Sequence, residues 1–155
     1  MVPFVLLALA ACSDGTQAAP DGSAAPLPAK GTGNSELPTV DDQRAALQAA
    51  GESAEVVVTT VAGDATATGQ VADVAAGPHM LRVVCTSSDG APVTVTVTAG
   101  EAELTSYQAP CVPVYQGGTT MADSDPFEVP AGAVDVTVAA GAESVVAVGL
   151  ATPAG

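Results

Sequence analysis

The chain has 155 residues, and its 17 acidic against 3 basic residues give a formal net charge of −14. This charge disfavours nucleic acid as a partner, because binding to phosphates requires clustered Lys and Arg side chains. It disfavours electrostatic binding to anionic lipid for the same reason. The apolar residues are mostly Ala and Val and there is no Trp, a composition that favours strands.

A short apolar run at the start of the chain ends in Leu9-Ala10-Ala11-Cys12, after which the sequence is polar and rich in Pro and Gly. The run is too short for a spanning helix, which needs about 20 apolar residues. Its end resembles the lipobox of bacterial lipoproteins, which has an aliphatic residue, two small residues and a cysteine. The resemblance implies that residues 1–11 are a removed signal peptide and that the Cys12 thiol carries diacylglycerol.

The same resemblance places the mature protein on the extracytoplasmic face of a bacterial cell membrane, held there by the acyl chains on Cys12. Residues 12–38 are dominated by Pro, Gly, Ser and Ala, and they have too little apolar surface to fold. We therefore expect the lipidated cysteine to be followed by a flexible tether. The alternative is that residues 1–11 form a buried element of the domain and that Cys12 is a core thiol.

The cysteine count agrees with the lipid anchor. Lipidation of Cys12 leaves an even pair, Cys85 and Cys111, and such a pair usually forms a disulfide in an oxidising exported compartment. The enclosed loop of about 26 residues would contribute roughly 3–4 kcal/mol on the chain-entropy model.

Residues 39–153 are predicted to form the folded domain. Thr39 can cap a helix that stops at Gly51, and its thin apolar face predicts packing at the edge of the domain. From Glu55 the pattern changes to the alternation typical of strands. Predicted strands cover 55–62, 65–74 (interrupted at Gly69), 79–86, 93–98, 103–108, 134–138 and the interior strand 144–150, with edge segments at 111–115 and 119–122.

Short strands at hairpin spacing predict an all-β fold, an antiparallel β-sandwich with one short N-terminal helix. Residues 74–84 and 127–138 each combine a turn glycine with a valine-rich strand, and a last strand follows at 145–150. This order resembles the jelly-roll sandwich of carbohydrate-binding modules and galactose-binding-like domains. An immunoglobulin-like sandwich is the alternative, although the cysteine spacing is about half the usual one and the partner Trp is missing.

Residues for catalysis are scarce. A hydrolytic triad or a Cys–His pair needs a histidine, and the only one, His79, stands at the start of a strand. There is no zinc-type spacing of His and Cys, and the only lysine, Lys30, lies in the tether, so a phosphate loop is excluded. We therefore expect a protein that is not an enzyme and has no cofactor beyond the lipid on Cys12.

Two groups of residues are candidate sites. Asp123, Asp125 and Glu128 offer the oxygen ligands that calcium takes, although no complete calcium loop is present and an exposed acidic turn is the favoured interpretation. The fold resemblance implies glycan binding, and sugar sites in such modules usually stack on aromatic rings. Tyr107 and Tyr115 are the candidates for that role, with packing around the disulfide as the alternative.

The sequence as a whole predicts a lipid-anchored extracytoplasmic lipoprotein that acts as a non-catalytic surface or interaction module. Its expected partners are the membrane, through the lipid anchor, and a protein or glycan of the cell envelope. The alternative is a jelly-roll lipoprotein that binds a glycan or solute through Tyr107 and Tyr115. The sequence leaves the oligomeric state open.

Overall fold

The computed structural model describes residues 36–155. The predicted signal peptide, Cys12 and the tether up to residue 35 lie outside the described residues. Within them the elements are the helix α1 (Val40–Ala49), the strands β1 (Ala54–Val61), β2 (Ala65–Val74), β3 (Gly77–Ser87), β4 (Val93–Ala99), β5 (Ala102–Ala109) and β6 (Val112–Pro113), a 3-10 turn (Val114–Gln116), and the strands β7 (Thr120–Asp123), β8 (Phe127–Val129), β9 (Gly132–Ala140) and β10 (Ser144–Ala151).

The strands form two packed sheets. Sheet A has the order β1-β10-β3, with β6, β7 and β8 pairing along the other edge of β3, and sheet B has the order β2-β9-β4-β5. The antiparallel pairs are nested in the sequence, because β4 pairs with β5, β3 with β7 and β8, β2 with β9, and β1 with β10. Such a ribbon, rolled so that β10 lies beside β3 and β9 beside β4, is a jelly roll. The predicted antiparallel sandwich is confirmed, in its jelly-roll form.

Valine side chains from both sheets fill the core. The Val-Thr alternation of β4 and β9 turns every second side chain inward, as the two-residue period of a strand requires. The inward residues of these strands are fully buried: Val93, Val95, Val97, Val134, Val136 and Val138. They pack against Leu81, Val83 and Cys85 of β3. A core of small β-branched side chains explains how the domain folds with so few aromatic residues.

The short strands after β5 are edge elements, as the sequence predicts from Pro113 and Gly117-Gly118. The predicted strand 111–115 is shorter in the structure, where only Val112–Pro113 pair with β3 and the chain then enters the 3-10 turn. Gly117 ends that turn at φ 71°, a conformation that favours glycine.

Helix α1 begins and ends where the sequence predicts. Thr39 and Asp42 form a reciprocal capping box, and Gly51 follows the helix with φ 124°. The predicted position is wrong, because α1 lies over the middle of the outer face of sheet A, where Leu47 packs against Val84 and Ala147. Leu47 is 1% exposed, so one leucine and neighbouring alanines are enough to hold the helix there.

A buried glutamine explains this position of α1. Gln43 is 1% exposed, and its Nε2 donates to Thr86 Oγ1 and to the Val145 carbonyl, both at 3.0 Å. Its Oε1 accepts a hydrogen bond of 2.8 Å from Thr119 Oγ1. Buried amide groups are costly unless they are paired. The complete pairing of Gln43 therefore ties α1 to β3, β10 and the segment before β7.

Strand β2 runs through Gly69 without a break, so the predicted interruption is wrong. Gly69 pairs with Val136 of β9, and the reason for the glycine is a contact with β1. Val56 has no partner in the β1–β10 ladder, which shifts register between Glu55 and Val57. This bulge turns the Val56 carbonyl towards Gly69, and a Cβ atom there would collide with that carbonyl.

We expect Gly69→Ala to lower the free energy of unfolding by about 1–3 kcal/mol, the usual range for an overpacked interior. The obstacle is backbone and cannot rotate away. Urea unfolding followed by circular dichroism measures the effect. Gly141→Ala is the matched control, because a Cβ at Gly141 meets nothing within 4 Å, and its midpoint should stay close to that of the unmodified protein. Equal midpoints for the two variants would contradict the proposed contact.

Candidate functional site

The outer faces of the two sheets differ in what covers them. The helix of residues 36–155 packs on sheet A, with its contacts to β10, β3 and β1. The outer face of sheet B carries no helix in this part of the chain. It is therefore the extended sheet surface that a partner can reach.

Four hydroxyl side chains form a row across this open face. Because β4 and β9 turn their valines inward, their threonines point outward. The strand register aligns Thr68 with Thr137, Thr137 with Thr96, and Thr96 with Ser106. We call these four residues the hydroxyl row. Adjacent strands lie about 4.8 Å apart, so the row spans about 14 Å.

The hydroxyl row retains most of its hydrogen-bonding capacity. Thr96 and Ser106 share one long contact of 3.4 Å between their hydroxyl oxygens. The side chains of Thr68 and Thr137 make no hydrogen bond within residues 36–155. Each hydroxyl can donate one hydrogen bond and accept two. The row thus offers donors and acceptors in turn along a line perpendicular to the strands.

The neighbouring rows are also polar. One contains Thr66, Ala139, Thr94 and Gln108, and the other contains Gln70, Asp135, Thr98 and Glu103. Gln70 Nε2 donates to Asp135 Oδ1 at 2.7 Å, which fixes both side chains. Neutral groups therefore occupy the centre of the face, and the carboxylates lie towards one end. The arrangement suits hydrogen bonding to a polar ligand.

The two tyrosines proposed from the sequence have different surroundings. Tyr107 lies on β5 opposite Val95 and packs against the core. Burial raises the pKa of the Tyr107 phenol, and the charges of Asp123 and Asp125 raise it further, so the hydroxyl stays neutral. Tyr115 lies in the 3-10 turn beside sheet A and is 65% exposed. Only Tyr115 presents most of its ring to solvent, and the ligand role of the pair stays a prediction.

The acidic residues proposed as calcium ligands are not assembled into a metal site. Within residues 36–155 no three His, Cys, Asp or Glu side chains are placed to hold a metal ion. Asp123 uses both carboxylate oxygens to accept hydrogen bonds from Arg82, at 2.9 and 3.0 Å. Glu128 lies on β8 opposite Pro78. Both carboxylate oxygens of Asp123 are therefore engaged in the ion pair with Arg82.

Arg82 also explains how the acidic turn is fixed to sheet A. The hydrogen bond with Asp123 raises the pKa of the Arg82 guanidinium, against the effect of burial. Ser124 supports the same turn, because its Oγ accepts from the Leu81 amide at 2.9 Å and donates to the Asp125 carbonyl at 2.9 Å. These contacts give the turn a structural role on β3.

His79 has no catalytic partner in the described part of the chain. It is buried at the start of β3, and its Nδ1 lies 3.0 Å from the Gly77 carbonyl oxygen. The two cysteines within residues 36–155 are joined to each other as the Cys85–Cys111 disulfide, as predicted. Neither a Ser-His nor a Cys–His pair is formed among these residues.

No helix among these residues is long and apolar enough to span a bilayer.

Comparisons with known proteins give structural neighbours but no family. No family model matches the sequence, and a search of curated proteins finds no match. One structural neighbour is a carbohydrate-binding module of lichenase 5A from Cellvibrio mixtus, solved in complex with cellotriose. It is 11% identical, with a TM-score of 0.45 over 66% of this chain and 91% of that chain.

Two further structural neighbours are a carbohydrate-binding module and an exo-β-1,3-galactanase. The C-terminal carbohydrate-binding module of the marine laminarinase LamC from Zobellia galactanivorans is 16% identical, with a TM-score of 0.45 over 65% of this chain and 91% of that chain. An exo-β-1,3-galactanase from Phanerochaete chrysosporium, solved with β-1,3-galactotriose, is 15% identical, with a TM-score of 0.43 over 62% of this chain and 26% of that chain. Similarities at this level assign no ligand to this chain, and the fold assignment rests on the strand order described above.

Proposed function

We propose that this chain is a non-catalytic binding module, anchored through lipid on Cys12 at the extracytoplasmic face of a bacterial membrane, whose open sheet B face binds a glycan of the cell envelope. The observation that carries the proposal is the hydroxyl row. Four aligned hydroxyls on an uncovered sheet offer repeated hydrogen bonds, and a polysaccharide offers repeated hydroxyls in return.

The chemistry of the face favours a neutral glycan over other polymers. The net charge of −14 repels polyanions such as nucleic acid and phosphate-rich polymers. The centre of the face lacks the large apolar side chains that dominate the buried centres of protein–protein interfaces. A neutral, hydroxylated ligand avoids both mismatches.

The absence of aromatic rings from the centre of the face implies weak binding at each site. A neutral hydrogen bond contributes about 0.5–1.5 kcal/mol net, so a few of them give low affinity. Lipid anchoring places many copies in one plane, and a polymer that contacts several copies binds more tightly through effective concentration. The proposed anchor and the proposed face therefore support each other.

The experiment replaces three members of the hydroxyl row, Thr68→Val, Thr96→Val and Thr137→Val, in one variant. Valine keeps the branched shape and the strand preference but removes the hydroxyl. We expect retention on insoluble cell-wall glycan to weaken by at least about tenfold, because three hydrogen bonds of about 0.5–1.5 kcal/mol each are lost. A sedimentation assay with the purified protein and peptidoglycan or an insoluble β-glucan measures this change.

Two controls make the result specific. The triple variant Thr68→Ser, Thr96→Ser and Thr137→Ser keeps the hydroxyls and should bind within about twofold of the unmodified protein. Thr60→Val makes the same chemical change at an exposed position of β1 in sheet A and should leave binding unchanged. Binding by the valine triple variant equal to that of the unmodified protein would refute the proposed face.

Tyr115 supports a second candidate site, because its ring is 65% exposed and rings of this kind stack on sugars. Tyr115→Ala tests it in the same assay, with Tyr115→Phe as the control that keeps the ring. Loss of binding in Tyr115→Ala, with normal binding by the valine triple variant, would move the site to the region of Tyr115.

A further inference from the structure

An open cavity of about 470 Å³ lies at one end of the sandwich, where β1 and β3 begin and β2 and β10 end. The hydroxyl row and the acidic turn do not contribute to it. Its lining includes three apolar side chains, Val71, Val74 and Leu150, and three side chains with acceptor atoms, Glu52, Asp73 and His79.

His79 is a buried polar side chain in the lining of the cavity. The residue is 8% exposed, and its Nδ1 lies 3.0 Å from the Gly77 carbonyl oxygen. A carbonyl only accepts, so Nδ1 donates in this contact. Nε2 makes no hydrogen bond within residues 36–155. Because no fully buried side-chain nitrogen or oxygen there lacks a partner, Nε2 keeps some exposure to solvent.

The charges around the cavity have one sign. Glu52 and Asp73 contribute two carboxylates, and the lining contains neither Lys nor Arg. The buried side chain of His79 also belongs to the lining, beside the apolar side chains. Within the described residues these groups are not placed to hold a single metal ion. The lining therefore matches a ligand that combines an apolar part with a positive charge.

We propose that this cavity binds an alkylammonium group. The methylene chain would lie against Val74 and Leu150, and the ammonium would pair with the carboxylate of Glu52 or of Asp73. The group has two sources, a free diamine or the side chain of a lysine-type residue in a peptide. Either source is independent of the glycan proposed for sheet B.

The test is an NMR titration of the ¹⁵N-labelled full chain with cadaverine, with 1,5-pentanediol as the uncharged probe of equal length. We expect saturable shifts of amide signals from residues 52–54, 73–79 and 150–152 with cadaverine and none with the diol. Nα-acetyl-lysine methylamide is the second arm. Shifts of the same signals with this probe assign the site to a peptide side chain, and shifts with cadaverine alone assign it to a free diamine.

Charge-matched variants distinguish binding at the cavity from non-specific attraction of a cation to an acidic protein. Glu52→Gln with Asp73→Asn should weaken cadaverine binding by at least about tenfold. Asp64→Asn with Glu143→Gln removes the same charge from exposed turns at the opposite end of the sandwich and should change binding by less than twofold. All four side chains are exposed, so the variants are expected to fold. Equal weakening by both pairs, or no saturable shift at the cavity, would overturn the proposal.

Discussion

Replacing Cys85 and Cys111 together by alanine is expected to lower the free energy of unfolding by about 3–4 kcal/mol. The disulfide joins residues separated by 26 positions, and opening a loop of that size restores conformational entropy to the unfolded chain. Cys85 is fully buried and Cys111 nearly so, so loss of their sulfur atoms also removes packing. Domains of this size are stable by about 5–15 kcal/mol, so the disulfide carries a large share.

Urea unfolding under oxidising and reducing conditions measures this contribution. The unmodified protein should lose stability on reduction, whereas the double alanine variant should unfold at the same midpoint with and without reductant. The double alanine variant therefore controls for effects of the reductant that do not involve the disulfide. Alkylation of the reduced protein shows whether the thiols have been freed. If they have been freed and the midpoint of the unmodified protein is nevertheless unchanged, the predicted contribution is contradicted.

Cys12→Ser is expected to move the protein from the membrane fraction to the soluble fraction almost completely. The acyl chains on Cys12 are the proposed attachment, and each buried methylene contributes about 0.8 kcal/mol to membrane binding. A net charge of −14 gives no electrostatic substitute on anionic lipid. Fractionation of cells and metabolic labelling with an alkyne analogue of palmitate measure the change.

The double variant Cys85→Ala with Cys111→Ala serves here as the matched control, because it removes two cysteines and keeps Cys12. It should be labelled as strongly as the unmodified protein. Labelling of Cys12→Ser at the level of the unmodified protein would refute lipidation at this position. The two sets of variants therefore separate the three cysteines into an anchor and a disulfide.

Features coded over a few neighbouring residues could be predicted from the sequence. The Val-Thr alternation of residues 93–98 and 134–138 determines which side chains face the core, because the two-residue period is a local property of the strand. The largely apolar run at 144–150 predicts an interior strand, because side chains on both faces of such a strand are buried. The capping residue Thr39 and the stop at Gly51 are also local signals.

Features that depend on distant residues could not be predicted. The position of α1 depends on the hydrogen bond that Gln43 donates to Thr86 and the one that it accepts from Thr119, which lie 43 and 76 residues away. The role of Gly69 depends on a bulge in another strand. The sequence therefore shows that a strand contains a glycine, but it does not show that the Val56 carbonyl is the group that requires Gly69.

The candidate site also combines features that local sequence predicts with features that depend on distant residues. The outward direction of the threonines in β4 follows from the alternation, but their alignment with Thr68 and Ser106 follows from the register of four strands. The cavity likewise joins His79 to Glu52 and Asp73 through the meeting of four strand ends. In Tyr107 and Tyr115 the residue type alone does not distinguish a ring packed on the core from one in solvent.

The place of β10 in sheet A has a consequence for the order of events during the proposed export. This strand, Ser144–Ala151, is the last of the domain, is buried along its whole length and separates β1 from β3. A chain that crosses a membrane from its N-terminus cannot complete sheet A until β10 has emerged. The chain therefore stays incompletely folded, and able to be translocated, until then. With Cys12 lipidated as proposed, the chain can be attached to the bilayer before it folds. Folding would then take place at the membrane surface, with the domain held close to the bilayer by the proposed tether.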